Sequence, residues 1–272
     1  MSTDLYLVDA FTDGPGSGNR AGVLLLEEPA DPAWMAILAA ELALPATVFA
    51  SAAPEGVDLR WFAPTGELPS CGHGTLAAAR ALREEWPRLW RGDGSLRVRT
   101  TLGELECRAH EDPTCFTVAL PAAELTTWEV PQWVDGVLGA DVVASVRSPR
   151  HGLVVVADEQ VVHDLNPDLT RLAELDVVGL AVTAEGTGRH HVVSRWFVPR
   201  HELEDHATGT AHTLIGPYWA GRLGRSTLVA RQASPRGAVF ALDLEKELVH
   251  MTGTTRVLVR GHLDCPGTAV PS

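Results

Sequence analysis

The sequence is poor in cysteine and has no long apolar run. Its 272 residues include four cysteines, and none of them forms a Cys-x-x-Cys pair. Disulfide-stapled secreted domains carry a denser cysteine framework, so we expect reduced thiols. No stretch reaches the roughly 18 apolar residues of a membrane span, and residues 1–9 lack the charged start and apolar stretch of a signal peptide. The sequence therefore predicts a cytoplasmic protein without a membrane anchor.

Positive charge is also scarce. There are 22 Lys and Arg residues against 35 Asp and Glu residues, which gives a formal net charge of -13 at pH 7. Such a charge repels nucleic acid and anionic membrane surfaces unless basic residues cluster, and the sequence shows no basic cluster. We therefore expect neither partner. The apolar fraction of 45% is sufficient for the core of one large or two mid-sized domains.

An internal repeat divides the chain into halves. The segment Arg-Trp-Phe-Ala-Pro at 60–64 returns as Arg-Trp-Phe-Val-Pro at 195–199, which is 135 residues later. At the same offset, Gly74-Thr75 matches Gly209-Thr210. Identities that continue at one offset without a gap indicate a duplicated structural unit.

Each repeat leads into one long helix. Leu76–Trp86 and Ala211–Leu223 are rich in Ala and Leu, and Gly224 closes the second stretch. A third helix is predicted over Pro32–Leu42, with Asp31 as its N-cap. Short β-rich runs fill much of the rest, namely 5–10, 22–26, 96–100, 115–120, 153–157, 228–232 and 239–244. The pattern predicts an α+β fold in which strands wrap a helix in each half.

The crossing between the halves is expected within 112–124, because this stretch contains two prolines and no helical period. We place the boundary near residue 115, which gives an N-terminal domain 1–115 and a C-terminal domain 116–272. Residues 258–272 are expected either to contribute the last strand of the first domain or, from Gly261 onward, to form a disordered tail.

The segments before the two long helices carry the unusual residues. Cys-Gly-His-Gly-Thr occupies 71–75, and Asp-His-Ala-Thr-Gly-Thr occupies 205–210. Unpaired N–H groups and the positive dipole end at a helix start bind carboxylates, and glycine lets a ligand approach the main chain. We therefore expect a small carboxylated substrate, held by backbone amides of Gly72, His73, Gly74, Gly209 and Thr210.

The same segments supply acid and base groups. Cys71, His73 and Asp205 can all exchange protons with a substrate. A thiol at a helix N-terminus has a lowered pKa, so Cys71 is interpreted as a proton donor or acceptor rather than an inert core cysteine. Two alternatives stay open, in which His73 is a buried structural histidine and Asp205 only caps its helix. No metal-ligand spacing such as His-Glu-x-x-His occurs, so no metal is expected.

In these residues the sequence resembles the PhzF family of phenazine biosynthesis proteins, which share the diaminopimelate epimerase fold. The resemblance spans nearly the whole chain. It rests on Val8 to Thr12 with Gly18-Asn19, Arg60 to Thr75, Pro149-Arg150-His151, Glu204-Asp205 with Thr208-Gly209-Thr210-Ala211, and Arg231-Gln232. It implies two pseudo-symmetric β-roll domains, each wrapped around a central helix, with the active site between them. It also implies a homodimer and no cofactor, metal or nucleotide.

The resemblance assigns roles to individual positions. His73 and Asp205 match functional positions of the PhzF pattern. The family's proton-shuttling glutamate lies in a Leu-Ser-Glu-Thr type stretch, where this chain reads Leu-Pro-Ala-Thr at 44–47. Ala46 thus stands in place of the glutamate, and the resemblance leaves open whether the reaction is the family's own.

From these residues we expect a cofactor-independent isomerase. It would move a proton on a small unsaturated amino or carboxylic acid in secondary metabolism of the antibiotic-biosynthesis type, with Asp205 shuttling the proton and His73 orienting the substrate. Three alternatives stay open. Cys71 and Asp205 could serve opposite faces of one carbon in an amino-acid epimerase, the cleft could mainly orient a reactive substrate in a cyclase or lyase, or the protein could bind a ligand without catalysis.

Overall fold

The computed structural model describes the backbone of residues 2–264 and the side chains of residues 3–263. The chain forms two compact units. One comprises the residues up to Ala119 together with those from Thr252 onward, and the other comprises Leu120–Met251. The first break falls inside 112–124, and the return to the first unit begins before residue 258.

The first part of the chain supplies most of the first unit. Its helices and strands are β1 (Ser2–Ala10), β2 (Asn19–Leu26), α1 (Pro32–Leu42), β3 (Ala46–Ala53), β4 (Gly56–Ala63), β5 (Gly66–Leu68), α2 (Gly72–Glu85), a 3-10 turn (Pro87–Leu89), β6 (Ser95–Thr100), β7 (Gly103–Ala109) and β8 (Cys115–Pro121).

The rest of the chain forms the second unit and then returns to the first. Its elements are β9 (Thr126–Thr127), α3 (Trp133–Leu138), β10 (Ala144–Arg147), β11 (His151–Val155), α4 (Glu159–Asp164), α5 (Leu169–Leu172), β12 (Gly179–Glu185), β13 (Val192–Val198), a 3-10 turn (Pro199–His201), β14 (Leu203–Asp205), α6 (Gly209–Leu223), β15 (Thr227–Gln232), β16 (Ala238–Glu245) and β17 (Leu248–Asp264).

In the first unit a mixed sheet lies between two helices. Strands β2 and β3 pair in parallel, as do β4 and β6, whereas β1 pairs antiparallel with both β2 and β17. Helix α2 contacts β1, β2 and β3. Helix α1 covers a separate apolar cluster that includes Met35, Leu38, Phe49 and Phe62. Residues 72–79 of α2 are all buried, so the start of this helix is enclosed by the first unit.

The second unit also has a mixed sheet and one long helix, but different short helices pack on its sheet. Strands β11 and β12 pair in parallel, as do β13 and β15, and β12 runs antiparallel to β13. Helix α6 contacts β12, β15 and β16. The short helices α3, α4 and α5 replace the single helix α1, because Val134, Val162 and Leu172 pack in one cluster with Leu180 and Phe197.

The sequence signals for α1 are confirmed. The Asp31 carboxylate accepts a hydrogen bond from the backbone N of Ala33 at 2.7 Å, and Pro32 occupies the first turn, where its missing N–H costs nothing. The helix ends at Leu42 because Ala43 adopts the left-handed conformation with φ of 50°.

Three sequence expectations need correction. The long helices begin at Gly72 and Gly209, earlier than the Ala/Leu-rich stretches indicated, because the helix-start segments themselves form the first turns. Gly261 to Asp264 continue β17 and pair with β1, with Gly261 opposite Leu5, so this stretch is not an irregular tail. The remainder of the expected tail lies outside the described residues.

The helices of residues 2–264 are all too short or too polar to cross a membrane.

Candidate active site

The start of α2 is capped by a thiol. Cys71 is the N-cap residue, and its Sγ accepts a hydrogen bond from the backbone N of Gly74 at 3.3 Å. The Thr75 hydroxyl donates to the Cys71 carbonyl oxygen at 2.8 Å. Both interactions fix the Cys71 side chain at the end of the helix that carries the positive dipole, where a thiolate is favoured.

His73 and Asn19 complete a buried cluster with this thiol. Nδ1 of His73 lies 3.6 Å from Cys71 Sγ and 3.4 Å from Asn19 Nδ2, and Nε2 lies 3.8 Å from the same sulfur. An amide nitrogen can only donate, so Nδ1 of His73 is the acceptor in its contact with Asn19. The start of β2 and the start of α2 thereby bring together three residues that the sequence singled out.

Gly74 lets the helix start approach the sheet. A Cβ atom at this position would lie 2.9 Å from Cys71 Sγ, 3.0 Å from Trp61 Cδ1 and 3.1 Å from Val48 Cγ2. Ala46 precedes Val48 by two residues on β3, so it lies on the same face of the strand, and it is fully buried. The position expected for the glutamate therefore carries only a methyl group, beneath the start of α2.

Asp205 lies at the end of β14, just before α6. Its Oδ1 accepts from the backbone N of His206 at 3.0 Å, and its Oδ2 accepts from the Thr208 hydroxyl at 2.5 Å. The N-cap residue of α6 is Thr208, and the Thr208 side chain makes no capping hydrogen bond. The alternative in which Asp205 is the N-cap of its helix is therefore wrong.

Gln232, at the end of β15, makes hydrogen bonds to the segment 205–208. Its Nε2 donates to the Asp205 carbonyl oxygen at 2.6 Å and to Thr208 Oγ1 at 3.2 Å, and its Oε1 accepts from the backbone N of Thr208 at 2.8 Å. The Ser234 hydroxyl donates to the His206 carbonyl oxygen at 2.9 Å. These bonds hold the backbone of the segment at both ends, so the Asp205 carboxylate has a fixed anchor.

Two histidines of this region are neutral at pH 7. Burial lowers the pKa of His212 to about 4, and the ring donates from Nδ1 to the Thr208 carbonyl oxygen at 2.9 Å. Burial also lowers the pKa of His206, although the negative charge of Asp205 acts to raise it. Within residues 3–263, Nδ1 of His206 is buried and has no hydrogen-bond partner.

Sequence reasoning missed part of this region. Gln232 entered only as part of a family segment, and His206 only as part of the helix-start segment. The repeat itself marks His206, because the offset of 135 residues aligns it with Cys71. No comparable signal marks Gln232, since its bonds to Thr208 join positions 24 residues apart.

The residues expected to bind and react fall into two groups. Asn19, Cys71, Gly72, His73 and Gly74 gather in the first unit. Asp205, Gly209 and Thr210 lie together in the second, where the last two begin α6. The part of the chain that the structure describes contains no group of three or more His, Cys, Asp or Glu side chains that could hold a metal ion.

A cavity of about 220 Å³ lies elsewhere in the first unit. Met35, Phe49 and Leu59 are among its apolar lining, and Arg60 and Arg99 are among its polar lining. Both guanidinium groups are already engaged, the first with Glu67 and the second with Asp58. None of the expected site residues lines this cavity, so it is separate from both groups.

Comparison with known proteins identifies the family. The family model described as "Phenazine biosynthesis-like protein", PhzC-PhzF, matches residues 8–263. The chain belongs to the PhzF family. The family predicted from the sequence motifs is thereby confirmed.

Individual PhzF relatives agree over almost their full length. An uncharacterized isomerase of Pseudomonas aeruginosa is 36% identical over 269 residues, which covers 97% of this chain and 99% of the relative. The crystal structure of a PhzF-family phenazine biosynthesis protein from Enterococcus faecalis has a TM-score of 0.91 and 31% identity, and the match covers 97% of this chain and 100% of the other.

A more distant structure shows how widely the fold is shared. A probable proline racemase from Agrobacterium radiobacter has a TM-score of 0.66 at 12% identity, with 96% of this chain and 92% of the other covered. The predicted epimerase-like α+β class is confirmed at this level: a mixed sheet with few helices, common to the PhzF family and this racemase fold.

Proposed function

We propose that this PhzF-family protein is a cofactor-independent isomerase that moves a proton on a small unsaturated amino or carboxylic acid. The observation that carries the proposal is the Asp205 carboxylate, which is held by two donors of its own segment at 3.0 Å and 2.5 Å. These donors hold the carboxylate in one place, and a carboxylate can exchange a proton with a bound substrate. The Pseudomonas aeruginosa relative, which is named an isomerase, supports the same reaction class.

The proposed reaction needs one proton carrier. The Asp205 carboxylate removes a proton from a carbon next to the conjugated system, so that a C–H bond breaks and an O–H bond forms. The electron pair left on carbon shifts the double bond, and Asp205 then returns the proton to a different carbon of that system. No net oxidation occurs, and no group other than the carboxyl changes its protonation state.

Substrate holding is assigned to the two helix starts. Backbone amides of Gly72, His73 and Gly74 at α2, and those of Gly209 and Thr210 at α6, would bind the substrate carboxylate. Asn19 would add a polar side chain. His73 would orient the substrate through the ring edge that its contacts with Asn19 and Cys71 fix in place.

The loss of the family's glutamate favours this single-carrier scheme. Ala46 is fully buried and offers no acid or base. An isomerase that removes and returns one proton with the same group does not need a second carboxylate. Participation in antibiotic-type biosynthesis and assembly as a homodimer stay predictions from the family resemblance.

Epimerisation is a second candidate because of the Cys71–His73 contact. The distances of 3.6 Å and 3.8 Å from Sγ to the two ring nitrogens allow the imidazole to exchange a proton with the thiol. An epimerase would need Cys71 and Asp205 to act on opposite faces of one carbon. It would therefore lose its reaction when either residue is replaced.

The test is deuterium incorporation from deuterium oxide into a panel of unsaturated and chiral amino and carboxylic acids, followed by NMR and mass spectrometry. Asp205→Asn and Cys71→Ala would be measured beside Asp243→Asn, a control with the same change of charge at an exposed position of β16. Exchange lost only in Asp205→Asn supports the isomerase. Loss in both site variants supports the epimerase, and tight binding without exchange supports a cyclase or a binding protein.

A further inference from the structure

Gln232 has a defined amide orientation. The Asp205 carbonyl oxygen can only accept and the Thr208 backbone N can only donate. Nε2 of Gln232 lies 2.6 Å from the former, and Oε1 lies 2.8 Å from the latter. The usual ambiguity between the two ends of a glutamine amide is therefore removed by its partners.

This orientation sets the direction of the next hydrogen bond. The second proton of Gln232 Nε2 points to Thr208 Oγ1 at 3.2 Å, so the hydroxyl oxygen accepts from the amide. A hydroxyl has one proton, and Thr208 gives it to Asp205 Oδ2 at 2.5 Å. The chain of donors runs in one direction, from Gln232 through Thr208 to the carboxylate.

The same arrangement explains an unusual helix start. A threonine at the N-cap ordinarily accepts a hydrogen bond from an amide of the first helical turn. Thr208 does not, and its side chain is occupied by Gln232 and Asp205 instead. The helix gives up a stabilising cap, and the hydroxyl donates to the carboxylate instead.

Gln232 is well suited to hold this direction. Its side chain is fully buried at the end of β15, where Ser194 is its neighbour on β13 and Ala238 is its neighbour on β16. Both amide protons and the amide oxygen are used by the segment 205–208. Burying an amide is costly unless its groups are paired, so the side chain is held in this one arrangement.

We propose that Gln232 is a positioning residue that commits the Thr208 hydroxyl to donate to Asp205, and so gives this carboxylate a directed hydrogen-bond donor. The inference rests on the proposed role of Asp205 and extends it to Thr208 and Gln232. Gln232 itself does not touch the substrate. It acts only through Thr208 and through the backbone of Asp205.

The test follows the Asp205 carboxyl group directly and needs no substrate. The full-length protein is labelled with carboxyl-¹³C aspartate, and the resonance that disappears in Asp205→Asn is followed by NMR as the pH changes. The variants are Gln232→Met, Gln232→Glu and Thr208→Val, with Thr208→Ser as the matched control that keeps the hydroxyl. Glu204, His206 and Arg236 are the charged or titratable groups near this segment, and none of them changes in these variants.

We expect the titration midpoint of that resonance to move upward by about one pH unit in Gln232→Met and Thr208→Val, because the carboxylate loses a directed donor. Gln232→Glu should shift it at least as far, since a glutamate would take the Thr208 proton for itself. Thr208→Ser should leave it in place. A shift in Thr208→Val without one in either Gln232 variant overturns the inference, as does the absence of any shift.

This outcome is separable from the proposed function. Full deuterium exchange in Asp205→Asn would refute the role of Asp205 whatever the NMR titration shows. Loss of exchange in Asp205→Asn, combined with an unmoved midpoint in the Gln232 variants, would refute only the role of Gln232. Where exchange is measurable, Gln232→Met should lower kcat more than it raises KM, because substrate contacts are untouched.

Discussion

The starts of α2 and α6 differ by only two residues when the halves are aligned at the repeat offset, yet they carry different chemistry. At α2 the Cys71 sulfur caps the helix and contacts an imidazole. At α6 the Thr208 hydroxyl leaves the helix uncapped and donates to Asp205. The Gly-Thr pair that both halves share lies within the first four residues of each helix, whereas the residues just before it decide which proton-exchanging group is presented.

The two long helices also differ inside. His212 on α6 is matched at the repeat offset by Ala77 on α2, and both positions are fully buried. The imidazole stacks on the Phe240 ring with centroids 3.7 Å apart and supports the Thr208 carbonyl oxygen. The second half therefore buries a titratable group at a position where the first half has only a methyl group.

This difference predicts the largest stability effect. Burial lowers the folded-state pKa of His212 to about 4 from its ordinary value of 6.5, so the unfolded chain binds the proton more readily. Above pH 6.5 the lowered pKa of His212 does not reduce the free energy of unfolding. As the pH falls toward 4, it reduces the free energy of unfolding progressively, by up to about 3 kcal/mol. Urea unfolding at pH 7, 5.5 and 4.5 should show this acid loss reduced in His212→Ala. If the free energy of unfolding of His212→Ala fell with pH as steeply as that of the unmodified protein, this prediction would be contradicted.

The glycines of the two helices should respond oppositely to alanine. Gly74→Ala places a Cβ within about 3 Å of Trp61 and Val48, and we expect a loss of about 1–3 kcal/mol. Gly216 on α6 is the matched control, because its Cβ would meet nothing closer than 3.5 Å. Gly216→Ala should stabilise by about 0.5–1 kcal/mol through helix propensity. Denaturant unfolding measures both, and equal effects would show that the start of α2 is not tightly packed.

The smallest expected difference is in the pH at which the individual cysteine thiols react. Burial raises the pKa of Cys107 to about 12 and also raises that of Cys115. Cys71 is buried too, but a helix-start amide and an imidazole lie beside its sulfur. Iodoacetamide labelling, mapped by mass spectrometry across a pH series, should therefore modify Cys71 at lower pH than the other two. If Cys71 and Cys107 were labelled with the same pH dependence, Cys71 would be an ordinary buried cysteine.

Much of the architecture could be predicted because its signals are local. Asp31 and Pro32 fix the start of α1, and the β-rich runs reflect side-chain patterns within a few residues. The true start of α2 was harder to predict, because Gly72, His73 and Gly74 have weak helix propensity and are held in the helix by packing against the sheet. Tertiary contacts overrode the local preference there.

At the candidate site, too, local features could be predicted from the sequence and interactions between distant residues could not. The repeat located both helix starts, and with them Cys71, His73 and Asp205. The interactions that tune these groups join distant positions, such as Asn19 with His73 at a separation of 54 residues. Propensity and periodicity carry no information about such pairs, so the role of Gln232 became visible only in three dimensions.

The central claim is that Asp205 carries the transferred proton. Its most direct test is the rate of deuterium incorporation into a responsive substrate by the unmodified protein, Asp205→Asn and Cys71→Ala. We expect Asp205→Asn to lose a factor of about 100 or more, the scale of general acid–base catalysis, while Cys71→Ala keeps most of the rate. Full exchange in Asp205→Asn would contradict the claim, and an equal loss in Cys71→Ala would replace the isomerase with a two-base epimerase.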